Sequence, residues 1–252
     1  KKGFPRFKPP FPAVKGLFGC PTIINNVETL ASIPKIIENG PEWFNSVGTK
    51  DSPGFKCFSV SGHVNKPGNY EIPLGTPFKK LLELAGGMKN GKKIKAVIPG
   101  GSSVPVVPGE IMLKTNMDYE SITKAGSLLG SGAVIIMDED TNMVEIIHRI
   151  ARFYYSESCG QCTPCREGTG WMYKIIDKIL KGKGTLEDIK TLESIPDMIA
   201  GSTICALGDA AAMPVESFIK NYKEEFLKYI KNQEEVVDNN IINNKEFVMQ
   251  QK

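Results

Sequence analysis

The chain has 252 residues, 41 % of them hydrophobic and 23 % charged, with a formal net charge of +3. A chain of that length buries a core of one or two domains without staples, which excludes a disordered protein, a collagen-like repeat and a minimal disulfide scaffold. The small positive charge gives no footprint for nucleic acid, and no run of 18 apolar residues is present to cross a membrane. The longest apolar run, Ala133-Val-Ile-Ile-Met137, is strand-sized. The opening Lys-Lys-Gly-Phe-Pro carries no methionine, signal-peptide core or transit pattern, and reads as the interior of a longer polypeptide.

Residues 1 to about 22, with Pro5, Pro9, Pro10, Pro12 and Pro21, are expected to be irregular and extended. Asn25 and Asn26 precede a helical pattern of Leu30, Ile33, Ile36 and Ile37, which Pro34 is expected to kink or break. Gly40-Pro41 punctuates it, and a short helix follows near Glu42–Val47. Lys56–Ser61 alternates as a strand, and Lys66-Pro-Gly-Asn69 suits a type II turn into a second strand, Asn69–Ile72. Thr76 is placed to cap a helix with Pro77 at its first position and an apolar face of Phe78, Leu81, Leu82 and Ala85. Short strands at Lys95–Ile98 and Ala133–Asp138 and a helix at Asp118–Ala125 complete a β-β-α-β order that suggests a β-grasp (ubiquitin-like) module.

Residues 141–231 read as four helices, a four-helix bundle. The first is capped by Thr141 or Asn142 and has the stripe Val144, Ile147, Ile150, Ala151 and Tyr154. The second runs from about Glu167 to Leu180. The third starts at Thr185 in a near capping box and is kinked or divided by Pro196, and the fourth spans about Gly208 to Ile230. Residues 232–252 are rich in Asn, Gln, Glu and Lys and read as a mobile polar tail.

Three of the six cysteines fall in Cys159-Gly-Gln-Cys162-Thr-Pro-Cys165. Cysteines so close in a chain without a signal peptide indicate ligation rather than a disulfide framework. Spaced at i, i+3 and i+6, they suit three corners of a [4Fe-4S] cubane. Cys205, in the loop before the fourth helix, is the downstream candidate for the last corner. In an antiparallel bundle the loops before helices two and four lie at the same end. Both loops would then sit at helix N-termini, which favour the negative charge of a thiolate-bound cubane. Gly160, Pro164 and Arg166 suit a tight loop with a charge beside it. Structural zinc is the competing reading, although zinc sites usually come as two separated pairs. Cys20 and Cys57 read as unliganded packing residues, and His63 and His148 as structural.

The segment Glu157-Ser-Cys-Gly-Gln-Cys-Thr-Pro-Cys-Arg-Glu-Gly168, the long step to Cys205, Pro9-Pro-Phe-Pro-Ala13, Gly16-Leu-Phe-Gly19 and Pro21-Thr-Ile-Ile-Asn-Asn-Val-Glu-Thr29 together resemble the NADH-binding flavoprotein subunit of respiratory complex I. The resemblance extends over about residues 4–231, and to the diaphorase subunits of NAD-linked hydrogenases and formate dehydrogenases. It implies an α+β chain: residues 1–52 as the end of an α/β FMN-binding domain, 53–140 as a β-grasp soluble-ligand-binding-like domain, and 141–231 as the [4Fe-4S] domain. It implies electron relay from NADH-reduced FMN through the cluster toward quinone, with no side chain as general acid or base. Cys159, Cys162, Cys165 and Cys205 would hold the cluster. Asn25, Asn26 and Thr29 would touch FMN, and Phe11 would line the dinucleotide site, although Asn25-Asn26 also suits a helix cap and Phe11 a core anchor.

The implied partners are peripheral-arm subunits, especially the thioredoxin-like [2Fe-2S] subunit and the large iron–sulfur subunit. The implied place is the cytoplasmic face of a bacterial inner membrane or the matrix face of the mitochondrial one. The family's glycine-rich flavin loop has no match here, so the chain reads as about the C-terminal half of such a subunit. A non-redox assembly module, with zinc or structural cysteines, is the alternative from a different class.

Overall fold

The computed structural model describes residue 5 and residues 9–249. Residues 1–4, 6–8 and 250–252 of the expected irregular start and polar tail lie outside the described residues. Residues 9–26 are irregular apart from a 3-10 turn at Leu17–Gly19. Helix α1 (Val27–Asn39) starts at Asn26, whose side chain accepts the Glu28 N–H at 2.8 Å. Pro34 lies inside it without breaking it. The cost is one hydrogen bond to the Leu30 carbonyl, on a helix with no buried residue. Gly40, at φ 87°, ends α1, and Pro41 begins α2 (Pro41–Asn45).

Strand β1 (Phe55–Gly62) turns Lys56, Phe58 and Val60 inward and Cys57, Ser59 and Ser61 outward. It pairs antiparallel with β2 (Gly68–Pro73), Val60 opposite Gly68. The expected type II turn is absent: Gly68 is a strand residue without the positive φ that turn requires. The connection over residues 63–67 is instead anchored elsewhere, the Asn65 and Lys66 amides donating to the Gly87 and Ala85 carbonyls. Thr76 does not cap a helix either. It lies in β3 (Thr76–Pro77), paired with β6 (Asn116–Met117), and its hydroxyl donates to the Pro73 carbonyl. Helix α3 (Phe78–Leu84) follows, with Pro77 at the N-cap and Phe78, Leu81 and the adjoining Ala85 fully buried.

Strands β4 (Ile94–Ile98) and β5 (Val107–Pro108), helices α4 (Gly109–Met112) and α5 (Tyr119–Lys124), and strand β7 (Ala133–Asp138) complete this half. The main sheet has the order β2-β1-β7-β4-β5, with β1 parallel to β7 and the other pairs antiparallel. At its centre the sheet is covered on both faces. Phe58, Val97, Val134 and Ile136 pack with Phe78, Leu81 and Ile122, while Ala96, Ile98 and Met137 pack into the helical core. Double-sided burial explains why β7 is a continuous apolar run while the half-covered β1 alternates.

Helix α6 (Met143–Glu157) is capped by Asn142, which accepts from the Val144 and Glu145 amides. Helix α7 (Thr163–Leu180) begins four residues before the expected Glu167, because Pro164 suits a first turn. Helix α8 (Leu186–Ile199) has a complete capping box of Thr185 and Asp188 and runs unbroken through Pro196, which is buried in the helical layer. Helix α9 (Leu207–Met249) extends past the expected end near Ile230, so the backbone read as a tail is helical up to Met249; one non-helical residue, Tyr222, interrupts it. The four helices share one core, which includes Val144, Ile147, Ile176, Leu192, Val215 and Phe218. Ser217 and Asn221 of α9 bond the Val106 backbone and tie this layer to the sheet.

Candidate metal centre

The cysteine triplet runs from the connection after α6 into the first turn of α7. Ser158 ends α6, its amide donating to the Tyr154 carbonyl. Gly160 takes φ 80°, a left-handed conformation that L side chains rarely adopt. Cys162 is the N-cap of α7 and Cys165 lies in its first turn. Arg166 Nη1 donates to the Gly160 carbonyl at 3.1 Å and Nε to Glu167 at 2.9 Å, so the guanidinium closes the loop over the backbone. Cys159 is exposed, Cys162 half-buried and Cys165 buried.

Cys205 precedes α9 in a loop with its own fastening. Gly201 N–H donates to Asp209 Oδ1 at 2.8 Å, the Thr203 hydroxyl donates to the Cys205 carbonyl at 2.8 Å, and Thr203 packs against Gly208 so closely that a Cβ there would overlap it. Burial pushes the Cys165 thiol up, the Ser158 hydroxyl pulls it down, and the charges of Cys162, Cys205 and Cys159 raise it further. The end of α8, from which the Cys205 loop leaves, packs on the start of α7, where a Cβ on Gly168 would meet the Ile199 side chain. Among the described residues no three His, Cys, Asp or Glu side chains converge as they do around a single metal ion. A cubane offers a separate iron to each thiolate, so it accepts four cysteines gathered around a larger group.

The other candidate residues are on a different element. Asn26 caps α1, the reading that needs no ligand, and the side chains of Asn25 and Thr29 are exposed. Phe11 is 65 % exposed and is therefore no core anchor. Cys20 and Cys57 are exposed rather than packed, Cys57 because it takes an outward register position on β1. His63 and His148 have structural partners in Asp138 and Thr141, and in Asp177, respectively.

Three features escaped the sequence. Ser158 Oγ lies 3.3 Å from Cys165 Sγ. Asp209 holds the Cys205 loop. Glu28 clamps α1 to the sheet, accepting from Lys56 Nζ at 2.9 Å and from the Cys57 amide at 2.7 Å. Burial pushes the Glu28 carboxyl up, but the Cys57 and Lys56 hydrogen bonds outweigh it and hold the group below its ordinary range. Only Ser158, adjoining Cys159 in the motif, had a signal in the chain.

Comparison with known proteins bears on the same span. Residues 145–229 match the NADH-ubiquinone oxidoreductase-F iron-sulfur binding region, and residues 57–107 match the SLBB domain. The NADH-quinone oxidoreductase F subunit of Mycobacterium tuberculosis is 51 % identical over 230 residues, 91 % of this chain and 52 % of that protein. That of Rickettsia bellii is 50 % identical over 227 residues, 89 % of this chain and 54 % of that protein. Over this shared span the chain is a homologue of the NADH-quinone oxidoreductase F subunit.

The chain spans about half the length of the F-subunit relatives it matches. An NAD+-reducing [NiFe]-hydrogenase solved in its H2-reduced state superposes with a TM-score of 0.79 at 34 % identity, covering 89 % of this chain and 38 % of that one. The F-subunit homology and the hydrogenase superposition agree on a mixed α/β chain of a sheet and packed helices. Among the described residues no helix is long and apolar enough to cross a membrane.

Proposed function

We propose that Cys159, Cys162, Cys165 and Cys205 hold a [4Fe-4S] cluster in the electron-transfer half of an NADH:quinone oxidoreductase subunit. The observation that carries this reading is the placement of the triplet and of Cys205 at the starts of two long helices, inside the span that matches an iron-sulfur binding region. When bound, such a cluster supplies one-electron transfer between NADH-reduced FMN and acceptors on the way to quinone. The protein's part is electrostatic. The unpaired N–H groups in the first turns of α7 and α9 favour the negative charge of the thiolates. Burial of Cys165 limits solvent at one corner. The strand order β2-β1-β7-β4-β5, with the first strand parallel to the last, supports reading residues 53–140 as a β-grasp domain. The shared helical core supports a four-helix bundle over 141–231.

Asn25, Asn26, Thr29 and Phe11 form one wall of an FMN and NADH site in this proposal; the exposure of the first three at the start of α1, and of Phe11 in the irregular segment before it, supports it. The remainder of that site would come from the part of the relatives' length that this chain does not span. Its partners are the thioredoxin-like [2Fe-2S] subunit and the large iron–sulfur subunit, on the cytoplasmic or matrix side of the membrane. A second reading, the diaphorase part of an NAD-linked hydrogenase, draws on the hydrogenase superposition, though the lower identity favours the quinone-linked assignment.

Anaerobic reconstitution of the chain should yield about four iron and four acid-labile sulfide per chain. Cys205→Ser should abolish the low-potential EPR signal while helical circular dichroism persists, since Cys205 is exposed and outside the core. Stoichiometric zinc without sulfide in the parent would overturn the proposal in favour of a scaffold.

A further inference from the structure

We infer that Ser158 sets the reduction potential of the cluster by donating its hydroxyl hydrogen to the sulfur of Cys165. The inference rests on the cluster reading above and adds a residue that is not a ligand. Ser158 Oγ and Cys165 Sγ are 3.3 Å apart, and both residues are buried, 6 % and 5 % exposed. With Cys165 as a thiol, the sulfur is the donor in this contact. A ligating thiolate has no proton, so the contact survives ligation only if the serine becomes the donor. The backbone prepares that reversal. The Gly160 N–H donates to Ser158 Oγ at 3.4 Å, occupying an oxygen lone pair and leaving the hydroxyl hydrogen free to point at sulfur. Ser158 is held in place as the C-cap of α6, through its amide bond to the Tyr154 carbonyl at 2.9 Å.

Burial singles out Cys165. Cys159 and Cys205 are exposed and Cys162 is half-buried, so water can solvate their sulfurs. A buried sulfur must draw its donor from the protein. Hydrogen bonds to cluster sulfurs are among the factors that set potential. A donor stabilises the more negative, reduced cluster more than the oxidised one, so it raises the potential. Ser158 acts through Cys165 and is a positioning residue.

The test is an EPR-monitored redox titration of the full chain, reconstituted anaerobically, as wild type, Ser158→Ala and Ser158→Thr. Ser158→Ala should shift the one-electron reduction equilibrium toward the oxidised form by about tenfold, equivalent to about 59 mV lower. Ser158→Thr, which keeps the hydroxyl, should titrate with the wild type. An unchanged or raised potential in Ser158→Ala, with a cluster present, overturns the inference and leaves the cluster reading intact. Failure of the parent to form any cluster removes both. Should Ser158→Ala not load, pulsed EPR on the reduced wild type decides. An exchangeable proton coupling that is lost in D2O, and is kept in Ser158→Thr, supports the donor; its absence overturns it.

Discussion

Helices α6 and α1 carry the same kind of pattern and meet different fates. Both are amphipathic, and both start from an asparagine that accepts backbone N–H groups. In α6 the stripe Val144, Ile147, Ala151 and Tyr154 is buried in a core shared by four helices. In α1 no residue is buried, with Val27 79 % and Ile37 78 % exposed. The Glu28 carboxylate joins α1 to the sheet, through Lys56 and the Cys57 amide. Hydrophobic periodicity thus specifies a helix and its apolar side, but burial depends on what the rest of the molecule lays against that side.

The largest effect expected from this contrast is in the cores. Phe218→Ala, at a fully buried position in the helical layer, should cost about 3–5 kcal/mol in denaturant unfolding. Ile37→Ala should stay within about 0.5 kcal/mol. Equal losses at the two positions would show that α1 is covered in solution.

The caps should divide the same way at a smaller scale. Asn142→Ala removes the acceptor for two α6 amides and a side-chain donor to the Tyr229 hydroxyl, and should lower global stability by about 1 kcal/mol. Asn26→Ala should fray only α1, seen as faster amide exchange in its first turn with the unfolding midpoint unchanged. A matching drop in midpoint would tie α1 into the cooperative unit.

The smallest effect is pH-dependent. The folded pKa of Glu28 lies below its ordinary value of 4.5, so the clamp is fully formed above that pH and is lost as the pH falls through the folded value. Amide protection at Cys57 and in α1 should therefore decline below about pH 4.5, while Glu28→Gln should have less protection at neutral pH and no such step. A persistent acid step in Glu28→Gln would assign the transition to another carboxylate. Asp188, depressed by its bonds to Lys178 and Thr185 despite burial, should act in the same direction on α8.

Much of the chain was legible locally. The stripe of α6, the capping box of α8, the β7 run and the buried face of α3 follow from periodicity and caps, which involve residues within a turn or two. The misreadings were local rules overruled by distant partners. Thr76 was drawn into pairing with Met117, and Gly68 into a strand whose neighbour runs on to join β7. Pro34 and Pro196 each remove one backbone hydrogen bond, a loss that a formed helix tolerates.

At the candidate site, the spacing of Cys159, Cys162 and Cys165 alone determined that three thiols lie within seven residues of one another. The expected antiparallel order of four helices put the loop of Cys205 at the same end of the bundle as the triplet. The tertiary structure decided that Asp209 and Thr203 hold the Cys205 loop and that Ser158 lies against the buried sulfur of Cys165. It also decided that Cys57 faces outward and that a carboxylate joins α1 to the sheet. The physical reason is range. Caps, spacings and periodicity act between residues already joined by a few bonds, whereas burial and hydrogen-bond partnership across the fold arise only when the chain has closed on itself.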